Sequence, residues 1–250
     1  MPNPSISLCM ITKNEERFLE QCINSVKNIV NEIIIVDTGS TDKTKDIAKK
    51  FNAKIFDFKW VDDFSAARNE SLKHATKQWI LVLDADETLD EDGLKTIKEL
   101  INDKEIDALL FLQKNYTNET SIAGFVNEEH TNEGKTYAGW YGSFIARLFR
   151  NKKGYKFEGT VHELVEPPIE SKKGKLAATN VVLHHYGNAE PSITKKKRQY
   201  YLELCKKKVK QTPNDSSYYE LGVLYKENEN FDDAIKSFKK TIGLNPKHSI

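Results

Sequence analysis

The chain has 250 residues, of which 38% are hydrophobic and 30% are charged, which allows one large core and a small helical module. Its net charge of +1 argues against a dedicated nucleic-acid-binding protein. No stretch approaches the roughly 18 apolar residues that span a bilayer, and Met1 to Pro4 lacks the pattern of a secretory signal. Cys9, Cys22 and Cys205 have no zinc spacing and are predicted to be reduced core residues. We therefore expect a cytoplasmic protein without a transmembrane segment.

The first 60 residues predict two units of a strand followed by a helix. Buried strands are expected at residues 6–11 and 33–36, because both stretches are continuously apolar. A polar loop follows each strand, at residues 12–16 and 37–44, and leads into a helix with one apolar face. This alternation predicts a mainly parallel sheet.

The segment at residues 79–83 predicts another buried strand, and it leads into Asp84-Ala-Asp86-Glu87. Because side chains alternate along a strand, we expect Asp84 and Asp86 to point the same way from its carboxyl end, where open α/β sheets bind ligands. One or two carboxylates often hold Mg²⁺ or Mn²⁺ on a substrate phosphate. The alternative is that these acids close the strand and cap a helix that begins near Leu89, which is the expected role of Glu87.

The second half of the chain predicts less regular structure. Residues 115–136 are polar and without periodicity, so a surface loop is expected there. His184 and His185 end the last predicted strand and should face opposite sides, so that at most one reaches the site, and we favour His185. Strands or extended segments are expected at residues 107–112, 144–150, 155–159 and 181–187.

Four motifs occur in a fixed order: Thr12-Lys-Asn-Glu-Glu, Asp37-Thr-Gly-Ser-Thr-Asp-Lys-Thr, Phe64-Ser-Ala-Ala-Arg-Asn and Asp84-Ala-Asp86. This series resembles the nucleotide-sugar half of an inverting family-two glycosyltransferase with the GT-A fold. It is also similar to the soluble branch that includes lipopolysaccharide-core glucosyltransferases and bacteriocin S-glycosyltransferases. The resemblance covers roughly residues 5 to 190 and implies an α/β fold in which helices flank a mainly parallel sheet. Four ordered motifs are far more specific than one.

The resemblance also implies roles for residues that bind the nucleotide-sugar. Thr12 and Glu15 would contact the nucleoside at the end of the first strand, and Asp37 would accept a hydrogen bond from a uracil N–H. Arg68 would face the base or the diphosphate, although a structural ion pair is an alternative for this planar cation. Asp84 would reach the ribose or a metal-bound water.

The resemblance further implies a metal site and a catalytic base. Asp86 would bind Mn²⁺ or Mg²⁺ directly, and His185 would complete the metal shell, with a structural hydrogen bond as its alternative. Whether His162 or His185 reaches the metal stays open. Direct attack on the anomeric carbon inverts its configuration and needs a base for the acceptor's proton, and Glu163 is our candidate. The alternative is that Glu163 pairs with a cation on a solvated face.

After Gly187 the composition changes. Residues 191–210 predict a basic helix whose charged face is solvated, with nucleic acid or an anionic membrane as alternative partners. Residues 215–248 fit one tetratricopeptide repeat. Because one repeat cannot bury its apolar faces alone, it should pack on the basic helix, the catalytic domain, a second chain in a homodimer, or further repeats of a longer array. We therefore expect two domains, 1–190 and 191–250.

The sequence thus predicts a metal-dependent enzyme that moves a sugar from a UDP-sugar to a hydroxyl or thiol of a glycan, peptide or protein. Two alternatives remain. A nucleotidyltransferase would share the sheet and its acids but would release diphosphate from a nucleoside triphosphate. A non-catalytic tetratricopeptide scaffold would need none of Asp84, Asp86 or Glu163. Neither the sugar nor the acceptor can be identified from these patterns.

Overall fold

The computed structural model describes residues 4–151, 153–187 and 191–246, without the side chains of residues 191–197. The prediction that the chain has no secretory signal concerns residues that are largely outside the described part. The predicted solvated face of the basic helix includes Lys195 to Lys197, whose side chains are also outside it. The described chain divides into two compact units. The first comprises residues 4–61, 65–158 and 164–187, and the second comprises residues 62–64, 159–163 and 191–246. Among the described helices, none combines the length and the hydropathy that a membrane span requires.

Eight strands form one sheet in the order β3-β2-β1-β4-β9-β6-β10-β5. Six of them run in one direction, and β5 and β9 run in the other. This confirms the predicted α/β class with a mainly parallel sheet. The elements are β1 (Ile6–Thr12), α1 (Leu19–Val26), β2 (Glu32–Asp37), α2 (Thr44–Lys50), β3 (Lys54–Asp57), α3 (Phe64–His74), β4 (Trp79–Val82), β5 (Glu87–Leu89), α4 (Glu91–Leu100), β6 (Ala108–Thr117), β7 (His130–Asn132), β8 (Lys135–Tyr137), β9 (Gly139–Arg150), α5 (Glu166–Ser171) and β10 (Leu176–His185).

The central strands are mostly apolar, as is typical of a sheet that is covered on both faces. In β1, Leu8 and Met10 lie in one apolar cluster, and Cys9 lies in another. Helix α1 buries Leu19 and Ile23, which are four residues apart and so share one helix face, against the first cluster. Strand β1 pairs in parallel with both β2 and β4, so the carboxyl ends of these three strands lie at one edge of the sheet.

Two local predictions around the Asp84 motif are wrong. Strand β4 ends at Val82, and the motif forms a turn in which Glu87 N donates to Asp84 O at 3.1 Å. Strand alternation therefore does not set the directions of the acidic side chains. The next helix begins at Glu91 and is capped by Asp90, whose Oδ1 accepts from Gly93 N at 2.7 Å. Glu87 is thus a strand residue and not a cap.

The region predicted as a surface loop is more ordered than expected. Strand β6 continues to Thr117, which pairs with Gly139 of β9, and β7 and β8 form a separate hairpin. The end of β6 was missed because its buried residues include Asn115 and Thr117, whose polar side chains hide the periodicity. The extended segment expected at residues 155–159 is reduced to one isolated bridge between Glu158 and Leu164.

The second unit contains three helices, α6 (Pro191–Gln211), α7 (Asp215–Glu227) and α8 (Phe231–Leu244). Helices α7 and α8 pack closely at Gly222, where an added Cβ would lie 2.6 Å from the Phe238 ring. This close approach is what the small residue of a tetratricopeptide repeat provides. On α6, Lys206 pairs with Glu203 and Lys208 pairs with Glu220, so part of the basic run is neutralised within the unit.

Candidate active site

The ends of β1 and β2 meet at a turn built around a buried carboxylate. Thr12 is paired with Asp37 in the sheet, and its Oγ1 donates to Asp37 Oδ2 at 3.2 Å. Asp37 Oδ1 accepts from the backbone N–H groups of Gly39 and Ser40, at 3.1 and 2.9 Å. Burial opposes ionisation, but these hydrogen bonds and the Lys45 ammonium at 3.4 Å outweigh it and lower the pKa of Asp37. Its enclosed side chain shapes the turn, and a contact with uracil stays a prediction.

The first two motif loops form one hydrogen-bonded structure. Asn14 Oδ1 accepts from Thr41 N at 2.7 Å, and Asn14 adopts a positive φ of 57°. Glu15 N donates to Thr44 Oγ1 at 2.7 Å, and the Glu15 carbonyl accepts the N–H that opens α1, from Leu19 at 3.0 Å. The backbone of Glu15 therefore fixes this loop, its side chain is half-buried, and the nucleotide contact stays a prediction.

Beside these loops lies a cluster of two arginines and two carboxylates, here called the ion cluster: Arg68, Asp84, Glu87 and Arg147. Asp84 is partly exposed, and the other three side chains are buried. Asp84 Oδ1 accepts from Arg68 Nη2 at 2.8 Å, and Oδ2 accepts from Arg147 Nη2 at 3.0 Å. Glu87 accepts from Arg147, from the Gln113 amide at 2.7 Å, and from the backbone N–H of Asp84 at 2.9 Å. The structural ion pair considered for Arg68 is therefore present.

The two carboxyl groups of the ion cluster have opposite pKa shifts. Burial opposes ionisation of Asp84, but the Arg68 and Arg147 guanidiniums outweigh it and hold its pKa well below the ordinary range. Burial raises the pKa of Glu87, and the nearby Asp84 charge adds to this effect against the attraction of Arg147. Asp84 is therefore the permanent anion of the ion cluster, with both oxygens directed to cations.

The other acid of the motif belongs to a second group, here called the ligand pair, which consists of Asp86 and His185. Asp86 Oδ2 lies 3.4 Å from His185 Nε2, and Asn115 Oδ1 accepts from His185 Nδ1 at 2.7 Å. Burial opposes protonation of His185, but the Asp86 carboxylate beside Nε2 outweighs it and raises the pKa of His185. Tyr186 N donates to Asp86 O at 3.0 Å, and an added Cβ on Gly187 would overlap Asp86 Oδ2.

The ligand pair fits a divalent ion that takes its remaining ligands from a substrate. Adjacent ligands on an octahedral ion at about 2.1 Å are about 3 Å apart, close to the separation of Asp86 Oδ2 and His185 Nε2. Within the described ranges, no group of three or more His, Cys, Asp or Glu side chains forms a candidate metal site. Two protein ligands are what Mg²⁺-type sites on phosphates commonly have, in contrast to closed protein cages.

A stack of aromatic rings continues the site from the ligand pair toward the β7–β8 hairpin. Tyr116 stacks on His130 with ring centroids 4.2 Å apart and on Tyr186 at 5.3 Å. His184 Nδ1 and the Tyr116 hydroxyl are hydrogen-bonded at 2.8 Å, so His184 and His185 have different partners, as strand alternation predicts. Tyr137 OH donates to Tyr186 O at 3.5 Å. The hairpin is thereby held against the chain that follows β10.

The structure brings most of the predicted site residues together in pairs. Thr12 contacts Asp37, Arg68 contacts Asp84, and Asp86 contacts His185. Glu163 belongs to the second unit and is half-buried. The predicted residues in the first unit are Thr12, Glu15, Asp37, Arg68, Asp84, Asp86 and His185.

Sequence reasoning missed three residues of the site: Arg147, Asn115 and, as an ion-cluster member, Glu87. The sequence did contain a signal for Arg147, because it interrupts the apolar stretch at residues 144–149, and a buried charge needs a partner. Asn115 offered no such signal, since asparagine is common in polar loops.

Comparison with protein families gives two matches. Residues 7–159 match the sequence model of glycosyl transferase family 2, which covers more than half of the chain. Residues 216–248 match the tetratricopeptide repeat. These matches confirm the family resemblance and the tetratricopeptide repeat predicted at residues 215–248.

Similar proteins include a TPR repeat-containing protein of Synechococcus elongatus, 37% identical over 188 residues, which is 73% of this chain and 42% of that protein. The SPbeta prophage-derived glycosyltransferase SunS of Bacillus subtilis is 29% identical over 247 residues, 95% of this chain and 54% of SunS. The chain thus spans about half the length of these relatives.

Among solved structures, residues 1–349 of S. aureus TarS in complex with UDP-GlcNAc superpose with a TM-score of 0.54 at 15% identity, over 98% of this chain and 76% of that chain. The likeness to TarS concerns the fold, which is of the GT-A type. From the family match, the sheet and the order of its motif loops, we conclude that the chain belongs to glycosyltransferase family 2 and carries a C-terminal tetratricopeptide repeat.

Proposed function

We propose that the chain transfers a sugar from a UDP-sugar to a hydroxyl or thiol of a glycan, peptide or protein, with inversion at the anomeric carbon. The observation that carries this proposal is the ligand pair, Asp86 and His185, at the edge of the sheet beside the motif loops. In a member of this family, a carboxylate and an imidazole in that position are suited to a metal-bound diphosphate.

The choice of a uridine nucleotide rests on chemistry and on one neighbour. TarS, which shares the fold of this chain, was crystallised with UDP-GlcNAc. Asp37 is the acceptor that the family resemblance assigns to uracil, and Arg68 is a cation at the same edge. Because Asp37 is enclosed, this role requires the Gly39 turn to adjust when the base binds.

In the proposed mechanism, Asp86 and His185 would hold a divalent cation, Mn²⁺ or Mg²⁺, which would neutralise the charge that develops on the UDP leaving group. Asn115 Oδ1 accepts from His185 Nδ1, which directs Nε2 toward the Asp86 carboxylate, where the cation would bind. Asp84 fixes the Arg68 guanidinium through its hydrogen bond. This assigns Asp84 to orienting a cation, in place of the ribose or metal-water contact that the resemblance implies.

Glu163 is proposed as the base that removes the proton of the acceptor hydroxyl or thiol. Attack and deprotonation then occur on the face of the sugar opposite the departing UDP, which inverts the configuration. Glu163 is half-buried, so the residue is not enclosed in the core.

We also propose that the two predicted domains have different roles. Residues 1–190 carry the nucleotide chemistry, and residues 191–250 hold a macromolecular acceptor or a second copy of the chain. Cytoplasmic residence belongs to the same proposal and is supported by three free, buried cysteines among the described residues.

A thermal-shift screen tests the donor and the metal. UDP, GDP and CDP, with their sugars, are added in Mn²⁺, in Mg²⁺ and in chelator, since a ligand that binds only the folded state raises its stability. We expect UDP compounds with Mn²⁺ or Mg²⁺ to give the largest shift. A shift with nucleoside triphosphates alone, and release of diphosphate, would instead indicate a nucleotidyltransferase.

Replacing Glu163 with Gln tests the base. The variant should bind UDP as the wild type does and lower transfer by about 10²-fold or more, measured as UDP release with serine and cysteine peptides as acceptors. Hydrolysis of the donor is followed separately, because water needs less activation than a peptide hydroxyl. Normal transfer by the variant would move the role to another acid, with Glu158 as the next candidate.

A further inference from the structure

The short segment Gly159–Glu163, which carries the proposed base, belongs to the same compact unit as the C-terminal helices. Its anchor is Val161, whose side chain is only 1% exposed. Val161 lies in one apolar cluster with residues of α6 and α7, namely Leu202, Leu204, Cys205, Leu221 and Leu224. A buried valine two residues from Glu163 therefore ties the base to the helices.

The backbone of the segment is held in conformations that need external support. Gly159 has a φ of +108°, which only glycine adopts readily. His162 has a φ of +53°, and a positive φ is uncommon for any residue other than glycine. Such conformations persist where the surrounding packing determines them. Thr160 adds a second tie, since its carbonyl accepts from Phe64 N at 3.0 Å. Phe64 is the first residue of α3, the helix that carries Arg68 one turn later.

Helix α6 contacts both ends of this arrangement through neighbouring tyrosines. The Tyr201 ring lies edge-on to Phe64, with centroids 5.6 Å apart, and edge-on to His162 at 6.3 Å. Tyr200 OH donates to Asp62 Oδ1 at 3.0 Å, and Asp62 has a φ of +61°. Helix α6 thus contacts both residues 62–64 and residues 159–163, which are far apart in the sequence.

We propose that the C-terminal helices position the catalytic base, with Val161 and Tyr201 as positioning residues. The inference rests on the proposed role of Glu163. A repeat that only held an acceptor could be removed without disturbing this segment. Here the removal of residues 213–250 takes Leu221 and Leu224 out of the cluster that contains Val161.

The first test is hydrogen exchange on the full chain without ligand, with the variants Val161→Ala and Tyr201→Ala. We expect amides of residues 159–163 to exchange about tenfold faster or more, while β1 and β4 keep their protection. Phe238→Ala is the matched control. It removes the ring that contacts Gly222 and Tyr219 in the repeat and should leave the segment unchanged. Unchanged exchange in both test variants would overturn the inference.

The second test separates positioning from general loss of structure. Both variants should keep the affinity for UDP with Mn²⁺ and lower turnover of UDP-glucose with a cysteine peptide by about 10- to 100-fold, because small misplacements of a catalytic group are costly. In the Glu163→Gln background, the same changes should cost little more, since they act through that residue.

Each outcome has one meaning. Additive losses in the double variants would show that Val161 and Tyr201 act by another route and would overturn the inference. Normal turnover by Glu163→Gln alone would overturn the proposed role of Glu163, while hydrogen exchange would still decide whether the helices hold the segment. A loss of turnover in Phe238→Ala as large as in Tyr201→Ala would assign the effect to stability of the repeat.

Discussion

The acids of the ion cluster and of the ligand pair come from the same four-residue turn, but they have different kinds of partner. In the ion cluster, the carboxylates of Asp84 and Glu87 point to arginines and to other donors of the chain itself. In the ligand pair, Asp86 faces the Nε2 atom of a histidine whose other nitrogen is already bonded to Asn115. The acids of the ion cluster are thus paired with cations of the chain, whereas Asp86 is the acid for which we propose a metal. Under that proposal, neighbouring acids of one motif have different functions.

The largest effect is expected from breaking the ion cluster. Arg147 is 4% exposed and bonds to both Asp84 and Glu87, so Arg147→Met should lower the free energy of unfolding by about 3–5 kcal/mol. Urea unfolding measures this loss. Arg150→Met, on the same strand, is the control, since Arg150 donates to backbone carbonyls and should cost much less. Equal losses in the two variants would show that the ion cluster contributes no more to stability than the hydrogen bonds of Arg150 do.

The ligand pair should respond in binding and not in stability. We expect Asp86→Asn to weaken UDP binding in Mn²⁺ by about 10- to 100-fold, because a charged metal ligand is lost while the shape is kept. Calorimetry in chelator should detect little change. Asp92→Asn, which alters an exposed acid of α4, is the control. Equal weakening with and without metal would reassign Asp86 to a direct nucleotide contact or to folding.

Asn115 tests the ligand pair separately, because it is hydrogen-bonded to His185 but is not itself a proposed metal ligand. Asn115→Ala removes the acceptor for His185 Nδ1 and should lower the Mn²⁺-dependent affinity for UDP by about tenfold. Asn115→Asp keeps an acceptor at this position and should retain the affinity. If both variants bind UDP like the wild type, the orientation of His185 does not depend on this hydrogen bond.

A smaller effect is expected from a carboxylate with a purely structural role at the opposite end of β2. Glu32 accepts from Ser7 Oγ at 2.6 Å, Thr76 N at 2.6 Å and Lys54 Nζ at 3.0 Å. Burial opposes ionisation, but these donors outweigh it and lower the pKa of Glu32 to about 2.

Because the pKa of Glu32 is lowered on folding, its stabilisation is complete above pH 4.5 and is lost as the pH falls toward 2. Glu32→Gln should therefore cost about 1 kcal/mol at neutral pH and flatten the acid side of the stability curve. Urea unfolding from pH 7 to pH 3 measures this difference. A constant difference between variant and wild type over that range would contradict the assignment.

The sequence predicted the parallel strands, the motif loops and the repeat, because each has a local signature in apolar runs, turn residues or spacing. It did not predict the ion cluster, since the partners of Asp84 come from α3 and β9, far along the chain. The directions of the two motif acids were also out of reach, because they depend on where β4 ends. Asn115 could be recognised only once β6 was paired with β10, which places it opposite His185.

Gly187 has a consequence for how this protein can be varied. An added Cβ at this position would occupy the space of Asp86 Oδ2, although the two residues are distant in the sequence. In a library that randomises the last loop of the first unit, functional clones should therefore keep glycine at position 187 as strictly as they keep aspartate at position 86. A clone that accepts a larger residue at position 187 should first have lost the carboxylate at position 86, so the order in which such changes accumulate is constrained.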